Sequence, residues 1–600
     1  MDGILAAPLD LGFWQMGVSY FMGLNIASTL NGSATRWPGE RAVVWSTKRD
    51  ATGRMTYSHV TFQQLDRESD RLARGLRDLG VTAGTRIVLM VRPGIEFIAL
   101  TFAMFKAGAV VVLIDPGMGR TGIFDCLKQV EPQGFIAVPM VHAIRVLKRR
   151  MFPQAKFNVT VGGRRWFWSG PTYRDLLGGE WQPFEMVDTA ATDPAAIIFT
   201  SGSTGPPKGV LYEHGMFAAQ VEWLRDFYKI QPGEVDLPGF PLFALFNSAM
   251  GVTTVIPDMD PTRPAQVNPE RIVSAIQDQN VTQAFGSPAI WNRVGRHCEA
   301  HQIALPTLRR VLSAGAPVPV HVLERMRKCL VAPDADVFTP YGATESLPVS
   351  SISGREVLER TAALTRTGAG TCVGRPFPKI EHKIIEITDG PIASLADVRE
   401  LPSGEVGEII VCGAVVTHEY FRQPEATRLA KIEDGRSRME DRTDAARWSP
   451  SSILYPPSSA SFWHRMGDVG YLDADGCLWY CGRKSHIVTT PRGRLFSDRC
   501  EPIINEHPRV FRSALVGIGQ PPNQRPVIVI EPEPGCLPKS ESAANEFRAE
   551  LRSLAKANSL THEIETFLFH PSLPVDIRHN VKIFREKLAP WAANQLGERR

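Results

Sequence analysis

Ile197, Ile198 and Phe199 run directly into Thr200-Ser201-Gly202-Ser203-Thr204-Gly205-Pro206-Pro207-Lys208-Gly209. The apolar run reads as a buried strand. The segment after it is too rich in glycine, proline and small hydroxyl residues to continue a strand or start a helix. A strand that ends in such a turn has few uses. Glycines let the backbone approach a ligand closely, and successive N–H groups make a nest for an anion. Ser and Thr hydroxyls donate further hydrogen bonds, and Lys208 adds positive charge. The ligand chemistry this suits is polyphosphate. A Walker A loop is excluded, because it needs four residues between its first Gly and Gly-Lys-Ser/Thr.

The surrounding chain alternates strand and helix patterns. Leu65 to Leu79 carries apolar residues at helical spacing, Arg86 to Val91 reads as a strand, Phe97 to Ala107 as a helix and Val110 to Ile114 as a strand. After the turn, Met216 to Phe227 is helical, and Val281 to Phe285 and Arg310 to Ser313 are short strands. Such alternation predicts an α/β fold with a mainly parallel sheet. Beyond about residue 370 the pattern shifts towards antiparallel strands at Ile380 to Ile387 and Glu408 to Cys412.

With 600 residues the chain exceeds the size of one compact core, so at least two domains are expected. The expected division is an N-terminal extension over 1–24, a large domain over 25–482 and a small α+β domain on a hinge over 483–600. Residues 433–461 are rich in Ser, Pro, Asp and Arg and read as an exposed insertion. A net charge of +4 with no long basic run gives no reason to expect nucleic acid. No uncharged apolar window reaches the length of a membrane span. The nine cysteines include one close pair, Cys477 and Cys481, with no histidine cluster beside it. They read as thiols of a reducing, cytoplasmic compartment rather than as a zinc site.

The turn at 200–209 resembles the phosphate loop of the adenylate-forming superfamily, which comprises acyl-CoA synthetases, peptide-synthetase adenylation domains and luciferases. Tyr341-Gly342-Ala343-Thr344-Glu345 resembles the second signature of that superfamily. The resemblance implies ATP as co-substrate, with Tyr341 near adenine, Thr344 at the α-phosphate and Glu345 on Mg²⁺. Ser313-Ala314-Gly315-Ala316-Pro317 resembles the segment that lines the purine, and Gly467-Asp468 the motif whose carboxylate holds the ribose hydroxyls. Gly482-Arg483 resembles the signature whose arginine also reaches the nucleotide, and Lys582 sits where the family keeps a lysine between substrate carboxylate and α-phosphate. That last role is physically reasonable, since a fixed ammonium offsets repulsion between two anions that must react.

Several positions depart from a generic acyl-CoA ligase. Ser485 stands at the usual hinge aspartate or lysine, and Ala244 stands where a histidine often lines the acyl pocket. Phe240, Phe243, Ala244 and Phe246 are the candidate pocket residues; the same aromatics could equally fill a core. Together with Ile256 to Pro264 and Asp576 to Lys587, these features resemble the OleC-type β-lactone synthetases of bacterial long-chain olefin biosynthesis. The resemblance implies a 2-alkyl-3-hydroxy acid with long chains as the small-molecule partner. It also implies closure of a β-lactone from the adenylate without CoA, and association with other olefin-pathway enzymes. The alternative is a long- or medium-chain fatty acyl-CoA ligase, which differs only in its acceptor. A nucleotide-binding protein without catalysis is a third reading, disfavoured because all the motif residues remain. His214 and His486 are candidates for the base in lactone closure, although each also reads as an ordinary hydrogen-bonded histidine.

Overall fold

In the computed structural model, residues 24–51, 53–200, 207–240, 242–434, 462–575 and 583–597 are described, Thr200 by its backbone alone. Ser201 to Gly205, Lys582, residues 1–23 and residues 435–461 therefore lie outside the described residues.

Two large sheets carry the site. The first has six strands in the spatial order Phe157–Thr160, Gly134–Ala137, Arg86–Met90, Val110–Ile114, Pro194–Thr200 and Lys208–Glu213. The first five are parallel to one another, and the last turns back antiparallel on its predecessor. Val110–Ile114 reads VVVLI and lies inside the sheet, as a buried parallel strand should. The strand Pro194–Thr200 pairs with Lys208–Glu213 so that Thr200 faces Lys208. Residues 201–206 thus follow the carboxyl end of a parallel strand, where ligands bind in open α/β sheets.

The second sheet has fourteen strands. Its parallel part runs through Arg41–Arg49, Thr253–Ile256, Val235–Pro238, Gln283–Gly286, Arg310–Ser313 and Asp336–Ala343. From there it continues antiparallel through Ser346–Ser353, Thr371–Pro376, Leu478–Arg483, Phe462–Leu472, Gly407–Cys412 and Glu381–Ile385. The expected shift in texture after residue 370 is this antiparallel stretch. A third sheet of three strands, Val510–Ile518, Arg525–Pro532 and Thr566–Phe569, packs with the helices Ser497–Asn505, Glu541–Lys556 and Arg585–Gln595. Arg499 Nε donates to Gly368 O at 2.8 Å, which ties this last unit to the second sheet.

Two sequence expectations shift. The strand expected from Val281 begins at Gln283, because Asn280 adopts φ +53° and Val281 N–H closes on Ile276 O as a helix terminus. Of the insertion expected over 433–461 only Glu433 and Asp434 are described, and both belong to ordered structure: Glu433 ends the strand Lys431–Glu433 and the Asp434 carboxylate accepts from Trp463 Nε1 at 3.2 Å.

Candidate active site

A cavity of about 2210 Å³ opens between the first two sheets. Lys208, Gly315, Gly342, Thr344, Glu345, Arg483 and Ser485 line it, as do Phe240, Phe243, Ala244 and Phe246. Residues drawn from five separate sequence segments are thereby brought into one space. Ala316 and Pro317 are not in its wall; the preceding Ala314 and Gly315 are, with Gly315 at φ +92°.

Thr344 and Glu345 form the two-residue turn between Asp336–Ala343 and Ser346–Ser353. A Cβ at Gly342 would lie 2.8 Å from Ser346 O, so the turn needs a glycine there. Neighbouring groups clamp this turn. Tyr212 Oη donates to Thr344 O at 2.5 Å, and Thr417 N–H donates to Glu345 O at 2.9 Å. Tyr420 Oη donates to Glu345 Oε1 at 2.7 Å. Burial, then the Glu345 carboxylate, push the Tyr420 phenol well up, so it remains a donor at any working pH. Glu345 Oε2 accepts no hydrogen bond among the described residues and is left for a ligand. Lys208 Nζ stands 4.8 Å above the Tyr420 ring, so the carboxylate and ammonium flank one phenol. Behind them, buried Lys431 donates to Thr417 O, and burial pushes its amine down to about 7 against the opposing pull of Glu345.

Asp468 and Arg483 are register partners on adjacent antiparallel strands. Tyr341 Oη donates to Asp468 Oδ2 at 2.6 Å. Asp468 Oδ1 lies 2.9 Å from Arg483 Nη1, yet no hydrogen bond is aligned on it. Asp468 and Tyr341 are not themselves in the cavity wall, although Gly467 and Arg483 are, so the unused Oδ1 lies just behind it. Burial raises the Asp468 carboxyl, and the Arg483 charge works against that rise. Tyr341 is thus bound to the very carboxylate assigned to ribose, and its neighbours Pro340 and Gly342 reach the cavity wall.

The aromatic cluster is a wall. Phe243 stacks on Phe285 at 3.8 Å, with Phe240 and Phe246 each 6.0 Å from Phe243. His214 is corrected as a base candidate. It is buried beside Phe105, its Nδ1 accepts from Ile26 N–H at 3.2 Å, and it is not in the cavity wall. His486 is not in the wall either, although its neighbours Lys484 and Ser485 are. Sequence reasoning missed Tyr420 and Tyr212, which lie 75 and 132 residues from the backbone turn they hold. No local signal marks either.

The profile of the family described as AMP-binding enzyme matches residues 30–421. An olefin β-lactone synthetase of Xanthomonas campestris is 47% identical over 573 residues, covering 95% of this chain and 98% of the relative. An olefin β-lactone synthetase of Stenotrophomonas maltophilia is 46% identical over 579 residues, covering 96% and 99%. The amide bond synthetase McbA of Marinactinospora thermotolerans superposes with a TM-score of 0.71 at 22% identity, covering 95% of this chain and all of McbA, which shows the shared fold. With the cavity, the clamped Thr344–Glu345 turn and the Asp468–Arg483 pair on one scaffold, the chain belongs to the AMP-binding enzyme family.

Proposed function

We propose that this enzyme uses ATP to adenylate a long-chain 2-alkyl-3-hydroxy acid, and that the acid's own hydroxyl then closes a β-lactone and expels AMP. The observation that carries the reading is the cavity. It joins a charged end at Lys208, Glu345 and Arg483 to an aromatic end at Phe240, Phe243 and Phe246. Near-full-length identity to the two β-lactone synthetases supports the closing step.

The geometry supports these roles for the described groups, and the resemblance alone supports that of Lys582. Lys208 meets the polyphosphate beside the turn it terminates, and Thr344 meets the α-phosphate. Asp468 takes a ribose hydroxyl, and the Arg483 charge opposes the rise that burial imposes on that carboxyl. Glu345, whose Oε2 is unused beside Lys208 and Thr344, is the carboxylate that would hold Mg²⁺. No cluster of three His, Cys, Asp or Glu exists among the described residues, so the ion would take its other ligands from phosphate oxygens and water. Bound there, Mg²⁺ would neutralise phosphate charge. Lys582 offsets repulsion between carboxylate and α-phosphate, and Ser485 lies at the hinge that brings it in. In the second step the hydroxyl oxygen attacks the acyl carbon, the bond to the AMP oxygen breaks, and the hydroxyl proton leaves to solvent or phosphate. Proximity favours this intramolecular step by an effective molarity that reaches roughly 10⁵–10⁸ M.

The test supplies a defined 2-alkyl-3-hydroxy acid with ATP and without CoA, and follows the product by mass spectrometry. β-Lactone with equimolar AMP is expected. A product that forms only when CoA is added would replace this reading with an acyl-CoA ligase.

A further inference from the structure

The helix Pro139–Leu147 turns its apolar residues the wrong way for a core. Met140, Ile144 and Leu147 follow the i, i+4, i+7 spacing of one helical face, yet they are 60%, 42% and 77% exposed. His142 and Ala143 are the residues this helix buries. The next segment behaves the same way. Trp168 is anchored, with Nε1 donating to Thr160 Oγ1 at 2.9 Å and its ring 5.7 Å from that of His142. Trp166 and Phe167 flank it at 5.5 and 5.3 Å between rings and stand 57% and 61% exposed. Five large apolar side chains thus share one outer face.

The face is strongly basic. Between Glu131 and Asp175 the sequence has eight Lys and Arg and no Asp or Glu, whereas the whole chain has a net charge of only +4. Lys148, Arg149, Arg150, Arg164 and Arg165 are exposed around the apolar residues. Met140 and Trp166 also line the cavity that reaches Lys208 and Thr344. The wide cavity therefore reaches this apolar, cationic surface at Met140 and Trp166. No helix among the described residues is long and apolar enough to cross a membrane, so the face can touch a bilayer only from outside.

We propose that the face formed by Pro139–Leu147 and residues 164–168 docks on an anionic lipid bilayer, and that the long-chain acid reaches the cavity directly from the lipid. The basic side chains meet anionic headgroups, while the aromatic and aliphatic side chains enter the interface. Charge complementarity and continuity with the cavity favour a bilayer over a folded partner. The access route rests on the proposed long-chain substrate; the docking does not.

The experiment is flotation of the full chain with phosphatidylcholine vesicles and with vesicles containing phosphatidylglycerol, at low and high salt. Binding to the anionic vesicles that weakens with salt is expected. The double variant Leu147→Ser/Phe167→Ser, whose side chains lie outside the cavity wall, should bind about tenfold or more weakly. The charge variant Arg149→Glu/Arg150→Glu should do the same. Pyrophosphate release from a short, soluble hydroxy acid, measured without vesicles, should be unchanged in both. That readout reports the chemistry separately, so its failure would count against the substrate reading and not against docking. Equal affinity for neutral and anionic vesicles, no binding, or undiminished binding of both variants would overturn the proposal. So would a dimer of the wild type that Leu147→Ser/Phe167→Ser dissolves in sedimentation, since the face would then cover a second copy.

Discussion

Tyr420→Phe isolates one hydrogen bond at the charged end of the cavity. The phenol is buried, its Oη donates to Glu345 Oε1 at 2.7 Å, and its ring lies under Lys208 at 4.8 Å. Phenylalanine keeps the ring and therefore the packing and the contact with Lys208. Only the donor to the carboxylate is lost. A hydrogen bond to a charged group contributes about 1.5–3 kcal/mol. Glu345 borders a cavity that water can enter, so a loss of about 1–2 kcal/mol is expected. If Glu345 must hold a fixed pose to bind Mg²⁺ and the phosphates, that loss appears in the transition state as about 5- to 30-fold in kcat/KM for ATP. The assay is substrate-dependent exchange of pyrophosphate into ATP at limiting and saturating Mg²⁺, with the melting temperature as a control for folding. The deficit should shrink as Mg²⁺ saturates. An unchanged exchange rate at limiting Mg²⁺, in a variant that melts like the wild type, would refute the claim that Tyr420 positions Glu345.

Three further perturbations probe other parts of the molecule. Lys582→Ala should slow adenylation by on the order of 10²–10³-fold in the exchange assay while leaving stability unchanged. Ala244→Leu places bulk in the cavity wall and should lower kcat/KM for a long-chain acid by about tenfold, at an overpacking cost of about 1–3 kcal/mol in urea unfolding. Asp236 is buried, accepts from Asn247 Nδ2 at 2.7 Å, and burial pushes its carboxyl up to about 7. Between the ordinary carboxylate value and that pH the folded chain holds the extra proton, so this group's stability contribution falls as pH rises through the window. Asp236→Asn should therefore gain stability relative to the wild type from pH 4 to pH 7, on the order of a few kcal/mol by urea unfolding, and a pH-independent gap would contradict it.

Contiguous motifs proved legible. The phosphate-loop strand, the Tyr341 to Glu345 hairpin and the Gly467-Asp468 strand each carry their geometry in a few adjacent residues, because a glycine or a two-residue turn fixes the local backbone. Groups that act through tertiary contact were not legible. Tyr420 reaches Glu345 because two segments 75 residues apart converge, and nothing in the local pattern signals that. Closeness in sequence also misled. His214 comes only a few residues after the phosphate loop, but the strand Lys208–Glu213 carries the chain away from the turn and starts the next helix in the core. The aromatic run at 240–246 left wall and core equally open. Their place around the cavity, with Phe243 at the start of a helix stacked on Phe285 of a neighbouring strand, decided for the wall.

The size of the cavity bears on the proposed lactone closure, which would need no second co-substrate. Small-molecule sites usually span about 300–1,000 Å³, and this one is about 2210 Å³. Lys208, Glu345 and Arg483 are among its charged wall residues. Apolar wall residues come from both sides of the cavity, with Phe243 and Phe285 beside the second sheet and Phe97, Met140 and Trp166 beside the first. A straight fatty acid has one alkyl arm to seat, whereas an acid branched at C2 and carrying an alkyl group on C3 has two. With both arms seated, the hydroxyl oxygen is held close to the acyl carbon, and the nucleophile arrives with the substrate. Closing a strained four-membered ring then draws on the free energy of the mixed anhydride, and the protein's part is to orient the two arms so that attack precedes hydrolysis.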